Sequence, residues 1–288
     1  IKNLKMINTD FKFRKFENPF PYIVIENFLE QNFYEKLETD FPNIDKFKEN
    51  PRSVNRMNYD TTFGDNLYSN LIKKSLHYKK FHDYVYSEEF INFFLNKFKD
   101  NIQAETHRKF LTENIFEYSI IPDPYEINGI IGKKELKNNY DKFLYPRLDI
   151  GVGTKGYGKN NGGGGIHIDN PQRLISILFY VGGYSEIKGG EHRIWKKDSQ
   201  NNTLEIHEEI KPKKNLLIAG LQNNLAFHDV NPITSVNGSR NAFYLAISST
   251  VPIWKKVKSN KFNLKYNKNR VTPTFFQKIK KNFLQLIK

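Results

Sequence analysis

Hydrophobic residues recur with a helical period in the first part of the chain. After a short apolar run at residues 20–29, which predicts a strand, this period predicts three helices, at about residues 30–40, 66–85 and 87–99. Pro42 limits the first helix, and Ser87 is a good N-cap for the third. The stretch 43–66 predicts a loop with a polar, basic group of residues, for which an ordinary surface loop is the default and a loop that faces the substrate is the alternative: Arg52, Asn55, Arg56, Asn58 and Tyr59.

From about Phe143 the pattern changes to short apolar runs that are separated by glycine, asparagine or proline. The runs predict eight strands, at residues 144–152, 166–168, 174–181, 192–195, 203–206, 215–219, 224–227 and 242–248. Gly182-Gly183 and Gly189-Gly190 are expected to mark turns between strands. Eight strands with no long helix between them favour an antiparallel barrel or jelly roll.

The predicted fold class is therefore α+β. A jelly-roll core is expected over residues 143–252, and residues 1–142 supply a strand and helices that pack on it. Residues 253–288 predict a basic connector and an amphipathic helix, and the whole chain makes one globular domain. The C-terminal helix starts at Thr272-Pro273 and has one apolar face, at Phe275, Phe276, Ile279, Phe283, Leu286 and Ile287.

Composition and charge narrow the classes of function. The 288 residues include no cysteine, which excludes disulfides, thiolate metal sites and cysteine nucleophiles. No apolar run approaches the roughly 18 residues that span a bilayer, and we expect a cytoplasmic protein, at most peripheral to a membrane. Residues 230–288 contain 12 lysines and arginines and no acidic residue, so nearly all of the formal net charge of +14 arises there.

The basic tail has three interpretations. Its apolar face can pack on the protein's own core while the lysines stay in water, as in most amphipathic helices. It can also lie on an anionic membrane surface or face nucleic acid. Its aromatic residues lack the regular alternation with basic residues that a base-stacking surface needs, which disfavours nucleic acid.

Two histidines have partners at informative spacings. His167 and Asp169 are two residues apart at a strand edge, so their side chains project from the same face. His228 ends another short strand 59 residues after Asp169, and Arg240 begins the next strand twelve residues later. Two histidines and one carboxylate leave three open positions on Fe(II) for a bidentate organic ligand and dioxygen. The same donors also suit catalytic zinc.

With these residues in this order, the chain resembles the 2-oxoglutarate/Fe(II)-dependent dioxygenases, and within them the prolyl-4-hydroxylase-like branch. The resemblance is concentrated in residues 143–250, in the runs 167–171, 177–181 and 189–194. Residues 19–29 show a weaker similarity. The resemblance implies a double-stranded β-helix that uses Fe(II), 2-oxoglutarate and O2. It also implies roles for six residues: His167, Asp169 and His228 as the catalytic iron ligands, Arg240 on the distal carboxylate of 2-oxoglutarate, and Tyr157 and Tyr180 near that cosubstrate.

The function that the resemblance implies is hydroxylation of an aliphatic carbon, with 2-oxoglutarate converted to succinate and a prolyl or other peptidyl residue as substrate. Asp169 favours hydroxylation, because halogenating relatives have a small residue at that position. A glycan, lipid-linked sugar or small metabolite at a membrane surface is the alternative within this chemistry. A non-catalytic binding module that engages nucleic acid through its tail is the alternative from another class. His192 is expected near the cavity and is interpreted as structural.

Overall fold

The structure is a computed structural model, and it describes residues 5–49, 55–59, 66–107, 111, 114–122, 142–158, 165–198, 200, 203–255 and 263–264. The helices are α1 (Gln31–Thr39), α2 (Asn66–Lys74), α3 (Leu76–Val85), α4 (Glu88–Lys97) and α5 (Lys99–His107). The strands are β1 (Lys12–Phe16), β2 (Tyr22–Glu26), β3 (Lys48–Glu49), β4 (Arg56–Tyr59), β5 (Ser119–Ile120), β6 (Phe143–Gly153), β7 (Arg173–Lys188), β8 (His192–Asp198), β9 (Thr203–Ile210), β10 (Leu216–Leu221), β11 (Phe227–Val230), β12 (Ser235–Ser249) and β13 (Asn263–Leu264).

The strands form two sheets. The larger has nine strands, in the order β1-β2-β10-β7-β12-β6-β4-β3, with β5 joined to β6. The smaller has four strands in the order β11-β8-β9-β13. The pairs β5–β6 and β9–β13 are parallel, and the other pairs are antiparallel. The larger sheet takes β1–β5 from residues 1–142, so this region is continuous with the strands that follow residue 143.

The outer face of the larger sheet carries the helices. Successive side chains of a strand point to opposite faces, and in β7 one set, which includes Phe179, packs with α1, α3 and α4 in a single buried cluster. The ring of Phe179 contacts those of Phe28, Phe81 and Phe243, with centroids 5.9, 6.2 and 6.0 Å away. This aromatic layer fixes β7 and β12 from outside.

The inner face of the larger sheet meets the smaller sheet. A second buried cluster joins side chains of β2, β7, β10 and β12 to Ile194 of β8 and Ile210 of β9. The alternate side chains of β7, Leu178 and Tyr180, belong to this inner cluster, as the alternation of a strand requires. The structure is therefore mostly β-sheet, with a curled core of two facing sheets.

Two predicted helices have the expected bounds and one does not. Glu30 and Ser87 cap α1 and α4 with side-chain oxygens that accept from backbone N–H groups. The helix predicted over residues 66–85 is divided into α2 and α3 at Ser75. The backbone of Ser75 is extended (φ −114°, ψ 114°), and its hydroxyl accepts from the N–H of Tyr78 to cap α3. Serine can interrupt a helix in this way because its hydroxyl takes the place of a backbone carbonyl as the hydrogen-bond acceptor of an N–H group.

Several strand predictions also change. The predicted loop 43–66 contains β3 and β4, and the predicted strand 166–168 is reduced to a single bridge. The predicted turn at Gly182-Gly183 is a bulge inside β7, where both glycines have positive φ (115° and 81°) and the register with β12 shifts. Gly189-Gly190 lies between β7 and β8, as expected for a turn.

The predicted C-terminal helix from Thr272 lies outside the described residues, so its three interpretations stay predictions. Among the residues that the structure does describe, no helix combines the length and apolar character needed to cross a bilayer.

We expect Phe179→Ala to lower the free energy of unfolding by about 3–5 kcal/mol, because the fully buried ring leaves a cavity beneath β7. Denaturant unfolding measures this value. Phe116→Ala is the control, because its ring is 42% exposed and its removal should cost much less. Equal losses in the two variants would contradict this account of the core.

Candidate metal centre and adjoining cavity

Backbone pairing brings the two predicted histidines together. The N–H of His167 donates to the carbonyl of His228, and the N–H of His228 donates to the carbonyl of His167, both at 3.0 Å. His228 lies within β11, whereas His167 meets that strand through this isolated bridge. Their ring centroids are consequently 4.5 Å apart.

Each imidazole is oriented by a hydrogen bond on its outer nitrogen. Nδ1 of His167 lies 2.6 Å from the carbonyl oxygen of Gly165, and Nδ1 of His228 lies 2.9 Å from that of Ala226. Because a carbonyl oxygen can only accept, Nδ1 carries a proton in both rings, and in the neutral form of each ring Nε2 has a free lone pair. This arrangement is typical of histidines that bind metals.

Asp169 completes the group. Its Oδ1 lies 3.7 Å from Nε2 of His167, and its Oδ2 lies 3.9 Å from Nε2 of His228. These separations are too long for hydrogen bonds, but one ion can reach both atoms of each pair with bonds of about 2.1 Å. One donor atom from each of the three residues lies within 4.8 Å of the others. The structure thus brings together the three residues that the spacing predicted.

Charge and burial leave Asp169 and His167 in their metal-binding forms. Burial acts to raise the pKa of Asp169, but Arg173, the two imidazoles and the hydroxyl of Ser176 hold it well below its usual range. The guanidinium of Arg173 lies 3.1 Å from the carboxylate, and Ser176 donates a short hydrogen bond to it. Burial and the neighbouring His228 lower the pKa of His167 to about 4, so this imidazole is neutral at neutral pH.

The residue after His228 fixes β11 to β8. Asp229 is 3% exposed and accepts hydrogen bonds from both Nε and Nη2 of Arg193, at 2.8 and 2.5 Å. Nε1 of Trp195 donates a further bond to it at 2.8 Å. A buried carboxylate is stable only when it is paired and hydrogen-bonded in this way. Asp229 therefore holds the strand that carries His228.

A cavity of about 140 Å³ opens beside the triad, and cavities of this size admit a small organic molecule. Side chains of both sheets line it, including His192 and Ile194 of β8, Ser176 and Leu178 of β7, and Tyr244 of β12. The triad forms one part of its wall and a group of tyrosines another.

Arg240 lies behind these tyrosines and is 0% exposed. The sequence placed it at the start of a strand, but it lies inside β12, where Nη2 donates to the hydroxyl of Tyr180 at 3.0 Å and Nη1 to that of Tyr244 at 3.2 Å. Its Nε is buried without a hydrogen-bond partner, and among the described residues Arg240 forms no ion pair. A buried guanidinium without an ion pair is suited to bind an anionic ligand, because a bound carboxylate would supply both the missing negative charge and an acceptor for Nε.

The two predicted tyrosines occupy different positions. Tyr157 is 1% exposed and lines the cavity, with its ring centroid 5.8 Å from the Arg240 guanidinium. Tyr180 is fully buried on the inner face of β7 and contacts Arg240 directly, at 4.7 Å from ring centroid to guanidinium. Burial raises the pKa of both phenols, so both remain neutral hydrogen-bonding groups.

Arg56 and His192 also line the cavity. Arg56, predicted on a surface loop, lies in β4 with its guanidinium 3.9 Å from the ring centroid of Tyr244. The alternation over residues 56–59 has the period of a strand, but four residues are too few to distinguish it from a loop. His192, interpreted as structural, lies with its ring centroid 5.5 Å from that of His228. Burial, followed by the nearby His228 and Arg240, lowers its pKa well below the ordinary value.

No protein-family model and no curated protein matches the chain. Among solved structures, a prolyl 4-hydroxylase from Phytophthora capsici is similar at 15% identity and a TM-score of 0.41, over 80% of this chain and 59% of that one. A prolyl hydroxylase from Trichoplax adhaerens, solved with a peptide fragment of hypoxia inducible factor, is similar at 14% identity and a TM-score of 0.40, over 79% of this chain and 83% of that one. The viral collagen prolyl hydroxylase of Paramecium Bursaria Chlorella virus-1, solved with 2-oxoglutarate, is similar at 17% identity and a TM-score of 0.36, over 80% of this chain and 96% of that one.

These structures are of the kind that the sequence resembles, and the chain spans 59% of the length of the Phytophthora enzyme.

We expect Asp229→Asn to weaken metal binding by about 10–100-fold, because the loss of the paired carboxylate loosens β11 behind His228. It should also lower the free energy of unfolding by about 3–5 kcal/mol, since Arg193 keeps a partly buried, unpaired charge. Metal titration and denaturant unfolding measure the two effects. The control is Glu209→Gln, an exposed carboxylate that is the register partner of Arg193 in β9. Unchanged metal affinity in Asp229→Asn would contradict the positioning role.

Proposed function

We propose that the protein is an Fe(II)- and 2-oxoglutarate-dependent oxygenase that hydroxylates an aliphatic carbon. In this proposal residues 143–252 form a double-stranded β-helix catalytic core, which residues 1–142 support. His167, Asp169 and His228 are the iron ligands and the catalytic centre, while Arg240, Tyr157 and Tyr180 hold the cosubstrate. A prolyl or other peptidyl residue is the proposed substrate, in keeping with the resemblance of the sequence.

One observation carries the proposal: two Nε2 lone pairs and a carboxylate converge beside a cavity whose tyrosine wall covers a buried, unpaired arginine. Nitrogen and carboxylate donors in this number suit Fe(II) and leave coordination positions open. The orphaned Nε of Arg240 and its lack of a counter-charge suit the distal carboxylate of 2-oxoglutarate. Zinc fits the same three donors, but hydrolysis at zinc gives no role to the buried cation.

The residues of the chain have separable tasks in this reaction. Bound together at the site, Fe(II) and 2-oxoglutarate would supply the oxidising chemistry, in which O2 is consumed, 2-oxoglutarate becomes succinate and a C–H bond is hydroxylated. Asp169, held ionised by Arg173 and Ser176, would neutralise part of the charge of a bound metal. The tyrosines orient Arg240, and the apolar wall, including Leu178 and Ile194, limits the access of water.

Anaerobic addition of Fe(II) and 2-oxoglutarate should produce the weak visible absorption of an iron chelate, and His167→Ala should lose it. His207→Ala is the control, because His207 is exposed on β9, away from the triad. With oxygen and the right substrate, mass spectrometry should detect succinate and a product heavier by about 16 Da, the mass of one oxygen atom. Absorption that survives in His167→Ala, or that is missing in the natural protein, would refute the proposed function.

Substitutions of Arg240 should weaken the binding of 2-oxoglutarate to different extents. Arg240→Gln removes both the positive charge and the paired N–H donors of the guanidinium, and it should weaken the binding of 2-oxoglutarate about 100-fold. Arg240→Lys keeps the charge but loses the paired donors, and it should weaken this binding about tenfold. Titration of the chelate absorption measures both values, and thermal unfolding shows whether each variant is folded. Arg147→Gln, at an exposed position of β6, is the control. Folded Arg240→Gln that binds 2-oxoglutarate normally would remove Arg240 from the site.

A further inference from the structure

A second arginine shares a row of the sheet with Arg240. Arg56 in β4 and Arg240 in β12 are both register partners of Gly153 in β6. Residues that share a row across neighbouring strands project from the same face, so both guanidinium groups point toward the cavity side. Gly153 leaves the space between them open to Tyr157, since a Cβ on this glycine would lie 2.7 Å from the ring.

Tyr244 lies between the two guanidinium groups. Its hydroxyl accepts from Arg240, and its ring faces the guanidinium of Arg56 at 3.9 Å. Burial acts to raise the pKa of Tyr244, but Arg56 and then Arg240 lower it. Stacking on an aromatic ring fixes the plane of a guanidinium and leaves its N–H edge available to a ligand.

Arg56 is not in contact with a carboxylate among the described residues, although Asp149 lies near enough to act on its charge. Its Nε is buried without a hydrogen-bond partner, and within the described part of the chain it forms no ion pair. The two carboxylates that line the cavity have other partners, because Asp169 is paired with Arg173 and Asp229 with Arg193. The cavity wall therefore presents a cation that no carboxylate of the described residues contacts.

The proposed cosubstrate does not by itself require a second cation. 2-Oxoglutarate has two carboxylates, of which one would lie at the metal and the other at Arg240, which is already a sufficient partner for it. Arg56 comes from an edge region of the sheet outside the predicted core, and it lines the cavity directly whereas Arg240 is completely buried. The unpartnered Nε of Arg56 belongs to the edge through which a guanidinium binds a carboxylate by two parallel hydrogen bonds.

We propose that Arg56 is a second carboxylate-binding group of this cavity, whose ligand is either a carboxylate of the substrate or the distal carboxylate of 2-oxoglutarate shared with Arg240. The inference rests on the proposed function for the identity of the cosubstrate. The carboxylate chemistry is common to both sources, and titrations with two anions distinguish them.

The first titration adds 2-oxoglutarate anaerobically to Fe(II)-loaded protein and follows the chelate absorption in the natural chain, Arg56→Gln, Arg56→Lys and Arg147→Gln. The second follows the NMR line width of acetate on Zn(II)-loaded, 2-oxoglutarate-saturated protein, in which no turnover occurs. Metal titration and thermal unfolding of Arg56→Gln show that the triad and the fold are intact. Arg56→Lys retains the charge and should show an intermediate effect.

Weaker binding of 2-oxoglutarate by Arg56→Gln, by about tenfold or more, identifies the cosubstrate as the source. Unchanged 2-oxoglutarate binding with loss of acetate binding identifies the substrate as the source and predicts an acidic substrate. Equal affinities of folded Arg56→Gln and the natural protein for both anions would overturn the inference. A natural protein that forms no chelate would instead refute the proposed function, and acetate binding to its Zn(II)-loaded form would still decide the role of Arg56.

Discussion

The site depends on one pair of backbone hydrogen bonds, between His167 and His228. This pair joins a short segment that belongs to no sheet to the edge of the smaller sheet. The side chains converge because the main chains do, and the Nδ1 hydrogen bonds then turn both Nε2 atoms toward Asp169. The donor set is therefore preorganised by protein contacts alone, which lowers the cost of ordering ligands when a metal binds.

A second constraint is the positive charge enclosed beside the triad. Arg240 is surrounded by phenols, whose oxygen atoms accept its hydrogen bonds but do not neutralise it. In an interior of low dielectric constant, an uncompensated charge costs several kcal/mol, and that cost must be met by packing elsewhere. The aromatic layer around Phe179 and Phe243, on the opposite face of β7 and β12, supplies apolar burial of this kind. Such a cost is expected where a residue is selected for binding rather than for stability.

Local patterns predicted what depends on neighbours in sequence. The bounds of α1 and α4 follow from their caps, and the spacing of His167 and Asp169 places both side chains on one side of the chain. Non-local pairing could not be predicted in the same way. Arg56 reaches the cavity only because β4 pairs with β6, almost a hundred residues later, and a four-residue polar strand has too weak a pattern to reveal this. The bulge at Gly182-Gly183 could not be predicted either, since glycines with positive φ occur both in turns between strands and in bulges within them.

The division of the site between two sheets explains how one cavity can bind unlike ligands. His228 belongs to the smaller sheet, whereas Ser176 and Arg173, which hold Asp169, belong to β7 of the larger one. A metal at the triad would therefore connect the sheets at one end of the cavity. The cations belong to β4 and β12, which flank β6 within the larger sheet alone. Anion recognition is thus set by rigid strands of one sheet, while the metal centre depends on the relation between the two, and a change at Arg56 can alter the choice of ligand without moving the metal.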